Sequence, residues 1–140
     1  MREFKRGQIW LVNFDPSFGY EYKKTRPALI IQQYKYIPIF QLLVIIPISS
    51  KVAKPTELDI LLRKDSQNRL MKDSLLKTKQ ISSFDKRRFI KLIGIVNEET
   101  MENIDKNIQF FLFGSKKKEA DKKGEKVRTE KLKDTDMKND

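Results

Sequence analysis

The sequence predicts a mainly β fold, a small and strongly curved barrel-like antiparallel sheet, followed by one C-terminal α-helix. Three observations carry this. Five or six short runs rich in Val, Ile, Leu and aromatic residues are separated by polar segments. No helical periodicity falls between the early runs, and heptads and internal repeats are absent, which argues against a doubly wound α/β fold and a helical bundle. A single convincing amphipathic stretch comes last.

Gln8–Asn13 (QIWLVN) reads as a first strand, broken by Asp15-Pro16-Ser17. Phe18–Thr25 is polar and charged and reads as a loop. Pro27–Gln33 (PALIIQQ) is a second strand, apolar enough to be buried on both faces, and Tyr34–Pro38 a turn. Phe40–Ile48 (FQLLVIIPI) is a long third strand. Its Pro47 has no N–H to donate, so it belongs near an edge or bulge. Ser49–Lys54 is a loop, Glu57–Leu61 an alternating half-buried strand and Ser74–Gln80 another strand. Phe84–Phe89 opens a short helical turn, and Leu92–Val96 is a small strand. Asn97–Phe113 is the helix. Asn97 or Thr100 can cap it, Glu98, Glu99 and Glu102 suit its positive end, and Met101, Ile104, Ile108, Phe111 and Leu112 form its apolar face. Gly114 is the stop. The run Phe110-Phe111-Leu112-Phe113 is too continuous for one buried stripe, so one side is expected to meet a partner or a second copy.

The chain has 140 residues, enough for one domain, with 39% hydrophobic and 35% charged residues. The charge is concentrated at the end. Residues 115–140 hold 10 basic and 7 acidic residues and no aromatic ring, too little apolar surface to offset the entropy of ordering. The expected organisation is therefore a folded domain at 1–114 and a charged, disordered tail at 115–140. The absence of Cys and His removes disulfides, thiolate nucleophiles, thiolate metal sites, histidine acid–base catalysis and His-containing triads. The five Gly form no phosphate-binding loop, and the carboxylates are scattered, so no metal site is indicated. No signal peptide is visible. The longest apolar run, Ile37–Ile48, has 12 residues and is too short to span a bilayer, so a cytoplasmic protein without a membrane partner is expected. A net charge of +11 favours a polyanionic partner.

The stretch Phe14–Ala28 stands out, a loop dense in Lys, Arg, Tyr and Glu between two apolar strands. Arg26, at the loop–strand junction, carries a rigid fork of donors suited to phosphate oxygens. Phe18, Tyr20 and Tyr22 can stack on unpaired bases. The competing reading is a solvated loop in which Arg26 pairs with Glu21.

These residues carry a resemblance. Arg6-Gly7-Gln8-Ile9-Trp10, Asp15-Pro16, Gly19-Tyr20-Glu21 and Lys24-Thr25-Arg26-Pro27-Ala28-Leu29-Ile30-Ile31-Gln32 resemble the opening of the MazF/PemK toxin family. Ile46-Pro47-Ile48-Ser49-Ser50, Pro55-Thr56-Glu57-Leu58-Asp59-Ile60, Lys72-Asp73-Ser74, the segment from Gln80-Ile81-Ser82 to Lys86-Arg87-Arg88, and Glu98-Glu99-Thr100-Met101 continue it in order. The resemblance implies a small SH3-like barrel of five to seven short antiparallel strands with a C-terminal helix, usually homodimeric. It implies a type II toxin that cuts single-stranded RNA at short sequences with no metal or cofactor. The partner is an antitoxin whose C-terminal segment occupies the RNA site, in a complex that binds DNA.

By the same resemblance Arg26, Ser49 and Glu21 are the catalytic positions. Phe18, Tyr20, Lys23, Lys24, Thr25, Lys51, Lys77 and Gln80 are the expected RNA contacts. Three departures stand out: Ser49 replaces Thr, Tyr20 replaces a small Ser, and Gln8 replaces an acidic residue. The implied reaction is attack of an RNA 2′-OH on the adjacent phosphorus, leaving a 2′,3′-cyclic phosphate and a 5′-hydroxyl. Arg26 suits charge stabilisation and, if it moves a proton, the acid role, because its pKa exceeds about 12. Glu21 is either the base or a structural partner of Arg26. Ser49 either donates to a phosphate oxygen or caps its strand end. Members of the same fold that poison DNA gyrase, and a degenerate RNA-binding module, are the rival readings.

Overall fold

The computed structural model describes residues 2–15 and 24–114. Seven strands form in the order β1 (Gln8–Asn13), β2 (Thr25–Ile30), β3 (Leu42–Ser49), β4 (Asp59–Leu62), β5 (Ser74–Lys77), β6 (Ser82–Asp85) and β7 (Phe89–Ile95), followed by α1 (Glu98–Phe113). The spatial order is β4-β5-β3-β2-β1-β7, with β6 also paired to β3. Every pairing is antiparallel. Among the described residues β4 and β7 end the path without pairing to each other, so the sheet is curved but open and "barrel" fits it only loosely.

The register shows why the central strands are apolar on both faces. On one face Trp10 and Val12 of β1, Ala28 and Ile30 of β2, and Leu43 and Ile45 of β3 join Phe14, Ile37 and Phe89 in one buried cluster. Phe4 and Phe84 pack on it. The Phe4 ring lies 4.7 Å from Trp10 and 5.3 Å from Phe89, and Phe84 lies 4.8 Å from Phe14. On the opposite face Ile9, Leu29 and Ile46 stand in register and are also fully buried, as are Ile48 and Leu76. Residues i and i+2 share a face, so two buried faces require the continuous apolar runs read from the sequence.

The boundaries differ where side chains compete with the ladder. β2 was expected to run to Gln33 and stops at Ile30, because the Gln32 side chain takes the Val44 N–H at 3.0 Å and a 3₁₀ turn, Tyr34–Tyr36, follows. It starts earlier, at Thr25, because Thr25 and Arg26 pair with Asn13 and Val12. The last three residues expected in the fifth run form a 3₁₀ turn, Thr78–Gln80. β6 was not expected at all. Its sequence SSFD has one apolar residue, yet it pairs with β3 from Leu42 to Ile45. The expected helical turn is the 3₁₀ turn Lys86–Arg88 behind it. Pro47 is not at an edge of the sheet: β3 pairs with β6 through Ile45 and with β5 from Ile48, so Pro47 falls where the partner on that side changes.

Gly94 has a specific reason. A Cβ there would meet the Asn68 carbonyl oxygen at 2.3 Å, so the 65–70 turn can lie on β7 only against bare backbone. The chain divides within the helix, between Glu102 and Asn103. The Asn97 carboxamide accepts the Thr100 N–H at 2.8 Å and caps the helix start, and Gly114, with φ of 88°, follows its end. Met101, Ile104 and Asn107 are buried, Ile108 is half-buried, and Phe111, Leu112 and Phe113 are exposed.

Candidate functional site

β2 and β3 place the two central candidates. Their pairing matches Ala28 with Pro47. That is the last pair of the β2–β3 ladder; Arg26 and Ser49, the last residue of β3, each lie two residues beyond it, and Ser49 pairs instead with Leu75 of β5. On its other side Arg26 pairs with Val12, which is fully buried. Arg26 and Ser49 therefore continue the face that carries Ala28, Ile30 and Ile45, at the rim where the apolar core ends and polar chemistry becomes accessible.

The Arg26 side chain is exposed, and among the described residues no carboxylate pairs with it. The Ser49 Oγ accepts the Lys51 N–H at 3.1 Å. That bond anchors the strand end and uses an acceptor lone pair, leaving the hydroxyl proton to donate. The Lys51 side chain is exposed beside it.

The base of the loop that leads into β2 is held by its own polar groups. Phe14 N–H donates to the Lys24 carbonyl at 2.7 Å, Lys24 N–H to the Asp15 carboxylate at 2.8 Å, and Asp15 N–H to the Asn13 side chain at 3.0 Å. Lys24 sits at φ of 62°, the left-handed region, which lets it turn the chain back into the ladder. Thr25 faces Asn13, so its side chain lies on the opposite face of the sheet from Arg26.

Other expected contacts scatter. Gln80 ends the turn between β5 and β6, alongside the part of β3 where its partner changes, and its carbonyl accepts the Ser82 hydroxyl at 2.8 Å. Lys77 is engaged elsewhere: its ammonium lies 3.0 Å from Asp59 across the β4–β5 pair and is mostly buried. Burial pushes the Asp59 carboxyl up, but the Thr56 N–H and Lys77 outweigh it and hold it below its usual value. Phe18, Tyr20, Glu21 and Lys23, and the tail at 115–140, lie outside the described residues. Among the described residues no group of three acidic side chains gathers as a metal ligand set, and no helix is long and apolar enough to cross a membrane.

Sequence reasoning did not foresee two contacts at the end of β1: the Asp15 carboxylate accepts the Lys24 N–H, and Arg88 donates to the Asn13 and Asp15 carbonyls. Asp15 was read as part of a strand breaker, and Arg88 as part of the short helical turn Phe84–Phe89. Their roles rest on backbone carbonyl and amide contacts that no side-chain pattern announces.

Comparison with known proteins bears on this arrangement. The family described as PemK-like, MazF-like toxin of type II toxin-antitoxin system matches residues 5–112. The chain is 26% identical over 113 residues to endoribonuclease MazF9 of Mycobacterium tuberculosis, covering 77% of this chain and 95% of that protein. It is 40% identical over 48 residues to endoribonuclease PemK of Escherichia coli, covering 34% of this chain and 36% of that one. Its fold is similar to that of a mycobacterial endoribonuclease solved in complex with its cognate antitoxin, with a TM-score of 0.62 at 16% identity over 76% of this chain and 92% of that one. The chain belongs to the PemK-like, MazF-like family of type II toxins.

Proposed function

We propose that the protein is a sequence-specific, metal-independent endoribonuclease toxin that cleaves single-stranded RNA in the cytoplasm and is neutralised by a cognate antitoxin. One observation supports the reading: Arg26 and Ser49 each lie two residues beyond the last β2–β3 pair, on one face of the sheet, and the exposed Arg26 has no carboxylate partner among the described residues. Relatives named endoribonucleases, and a fold neighbour solved with its antitoxin, support it.

In the proposed reaction the substrate's own 2′-oxygen forms a bond to phosphorus as the bond to the 5′-oxygen breaks. The 2′-OH proton goes to a base, for which Glu21 is the candidate, and the leaving 5′-oxygen takes a proton from Arg26 or from water. Charge grows on the non-bridging oxygens. Arg26 meets it with two parallel N–H donors and Ser49 with one O–H donor. Preorganised donors of this kind are typically worth about 3–4 kcal/mol each. An antitoxin segment that supplies carboxylates to the same rim would compete for Arg26, Lys24 and Lys51.

The test is incubation of a long single-stranded RNA with the full-length protein in EDTA. Wild type is expected to yield fragments with 5′-hydroxyl ends, and Arg26→Ala to lose about 10²–10³-fold in rate. RNA that is bound but left intact, or untouched at high enzyme, overturns the reading.

A further inference from the structure

We infer that Arg88 is a positioning residue for the Arg26 site, acting through the backbone of β1. The inference rests on the RNA-cleaving reading and adds to it a residue remote in sequence.

Arg88 ends the 3₁₀ turn Lys86–Arg88, in front of β7. Its Nη1 donates to two carbonyls, Asn13 at 3.0 Å and Asp15. These are the residues at which β1 leaves the sheet. Its guanidinium also lies 5.5 Å from the centre of the Phe84 ring, and Phe84 packs edge-on against Phe14. One side chain thus grips the residues on either side of Phe14 and, through Phe84, its ring.

What it grips is the frame that sets Arg26. Asn13 pairs with Thr25 and Val12 with Arg26. Phe14 and Asp15 close onto Lys24 through two further hydrogen bonds, the Lys24 carbonyl accepting one and its N–H donating the other. Arg26 follows this clasp by two residues. If the Asn13–Asp15 turn shifts, the start of β2 shifts with it, and the guanidinium of Arg26 moves relative to Ser49. Misplacement of a reacting group by about 1 Å costs on the order of a hundredfold in rate. A guanidinium suits the task because its fixed fork donates without needing an anionic partner. Arg87, by contrast, turns away and pairs with Asp85 at 2.9 Å.

The experiment compares full-length wild type, Arg88→Ala, Arg88→Lys and Arg87→Ala. Amide hydrogen exchange is read at Phe14 and Lys24, with Ile48 and Leu76 as distant reporters. Single-turnover cleavage of RNA is read for rate and amplitude, and affinity is read on the same RNA with 2′-deoxy sugars. For Arg88→Ala, exchange is expected to quicken by about tenfold or more at Phe14 and Lys24 only. The rate is expected to fall about 10–100-fold at unchanged amplitude, with affinity within about threefold. Arg88→Lys should recover part of the rate, and Arg87→Ala should stay within about twofold. Exchange that quickens across the whole sheet, or amplitude that falls in place of rate, would show a merely structural residue and overturn the inference, as would a wild-type rate in Arg88→Ala. A wild-type protein that leaves RNA intact overturns the cleavage reading instead, and the exchange data then decide by themselves whether Arg88 holds the turn.

Discussion

The Asp59 side chain is wholly screened from solvent, with one oxygen taking both the Lys77 ammonium and the Thr56 N–H and the other unpartnered among the described residues. A buried pair of this kind adds little net stability, but breaking it strands a charge. Lys77→Met should therefore destabilise the fold by about 3–5 kcal/mol in urea unfolding. The folded protein holds Asp59 below the ordinary carboxylate value of 3.8, so it binds fewer protons than the unfolded chain. Its contribution is present above about pH 4 and is lost as pH falls further. Acid titration of stability should show that loss in wild type and not in an Asp59→Asn, Lys77→Met double variant. Ser49 poses a different question at the same scale, because its hydroxyl accepts the Lys51 N–H and is also the proposed donor to the phosphate. Ser49→Thr keeps both functions and adds the methyl that restricts χ1, so its cleavage rate should equal or exceed wild type, whereas Ser49→Ala should lose about 10–100-fold in a single-turnover assay.

Among elements, β7 and the 65–70 turn depend on each other. The Asn68 side chain accepts the Asp65 and Leu70 N–H groups and donates to the Arg63 carbonyl, and the turn it organises presses on Gly94. The Ile95 N–H donates to the Gln67 carbonyl at 3.0 Å, so this turn also covers part of the sheet edge. Gly94→Ala should cost about 1–3 kcal/mol, read as a lower midpoint in thermal or urea unfolding, because the obstruction is backbone and cannot rotate away. β6 teaches a related lesson. A four-residue strand with one inward apolar residue formed because β3 offered it an unpaired edge beyond Pro47. Its propensity was weak and its partner decided.

For the molecule as a whole, a net charge of +11 matters through where the charges sit. Lys24, Arg26 and Lys51 are exposed, while Lys77 is held by Asp59. Each phosphate neutralised on a single strand contributes a slope of about 0.7 in log affinity against log salt. Lys51→Ala should reduce that slope by about 0.7 in a binding titration with 2′-deoxy RNA, and Lys77→Met should leave it unchanged. The two variants thus separate a charge that faces the ligand from one that holds the sheet together.

Composition and alternation alone settled a good deal: a mainly β chain, most of its strands and the terminal helix. Those follow from side-chain period and propensity, which are local. The ordered motifs also made Arg26 and Ser49 legible as candidates. Three things became visible only in three dimensions. Pairing of β2 with β3 brought Arg26 and Ser49, 23 positions apart in the chain, to the same end of two neighbouring strands. Pairing drew Lys77 inward, which nothing in its neighbours' identities foretells. Carbonyl oxygens, which every residue carries alike, became the partners of Arg88. Contacts made through the backbone leave no mark on residue type, so only the folded chain reveals them.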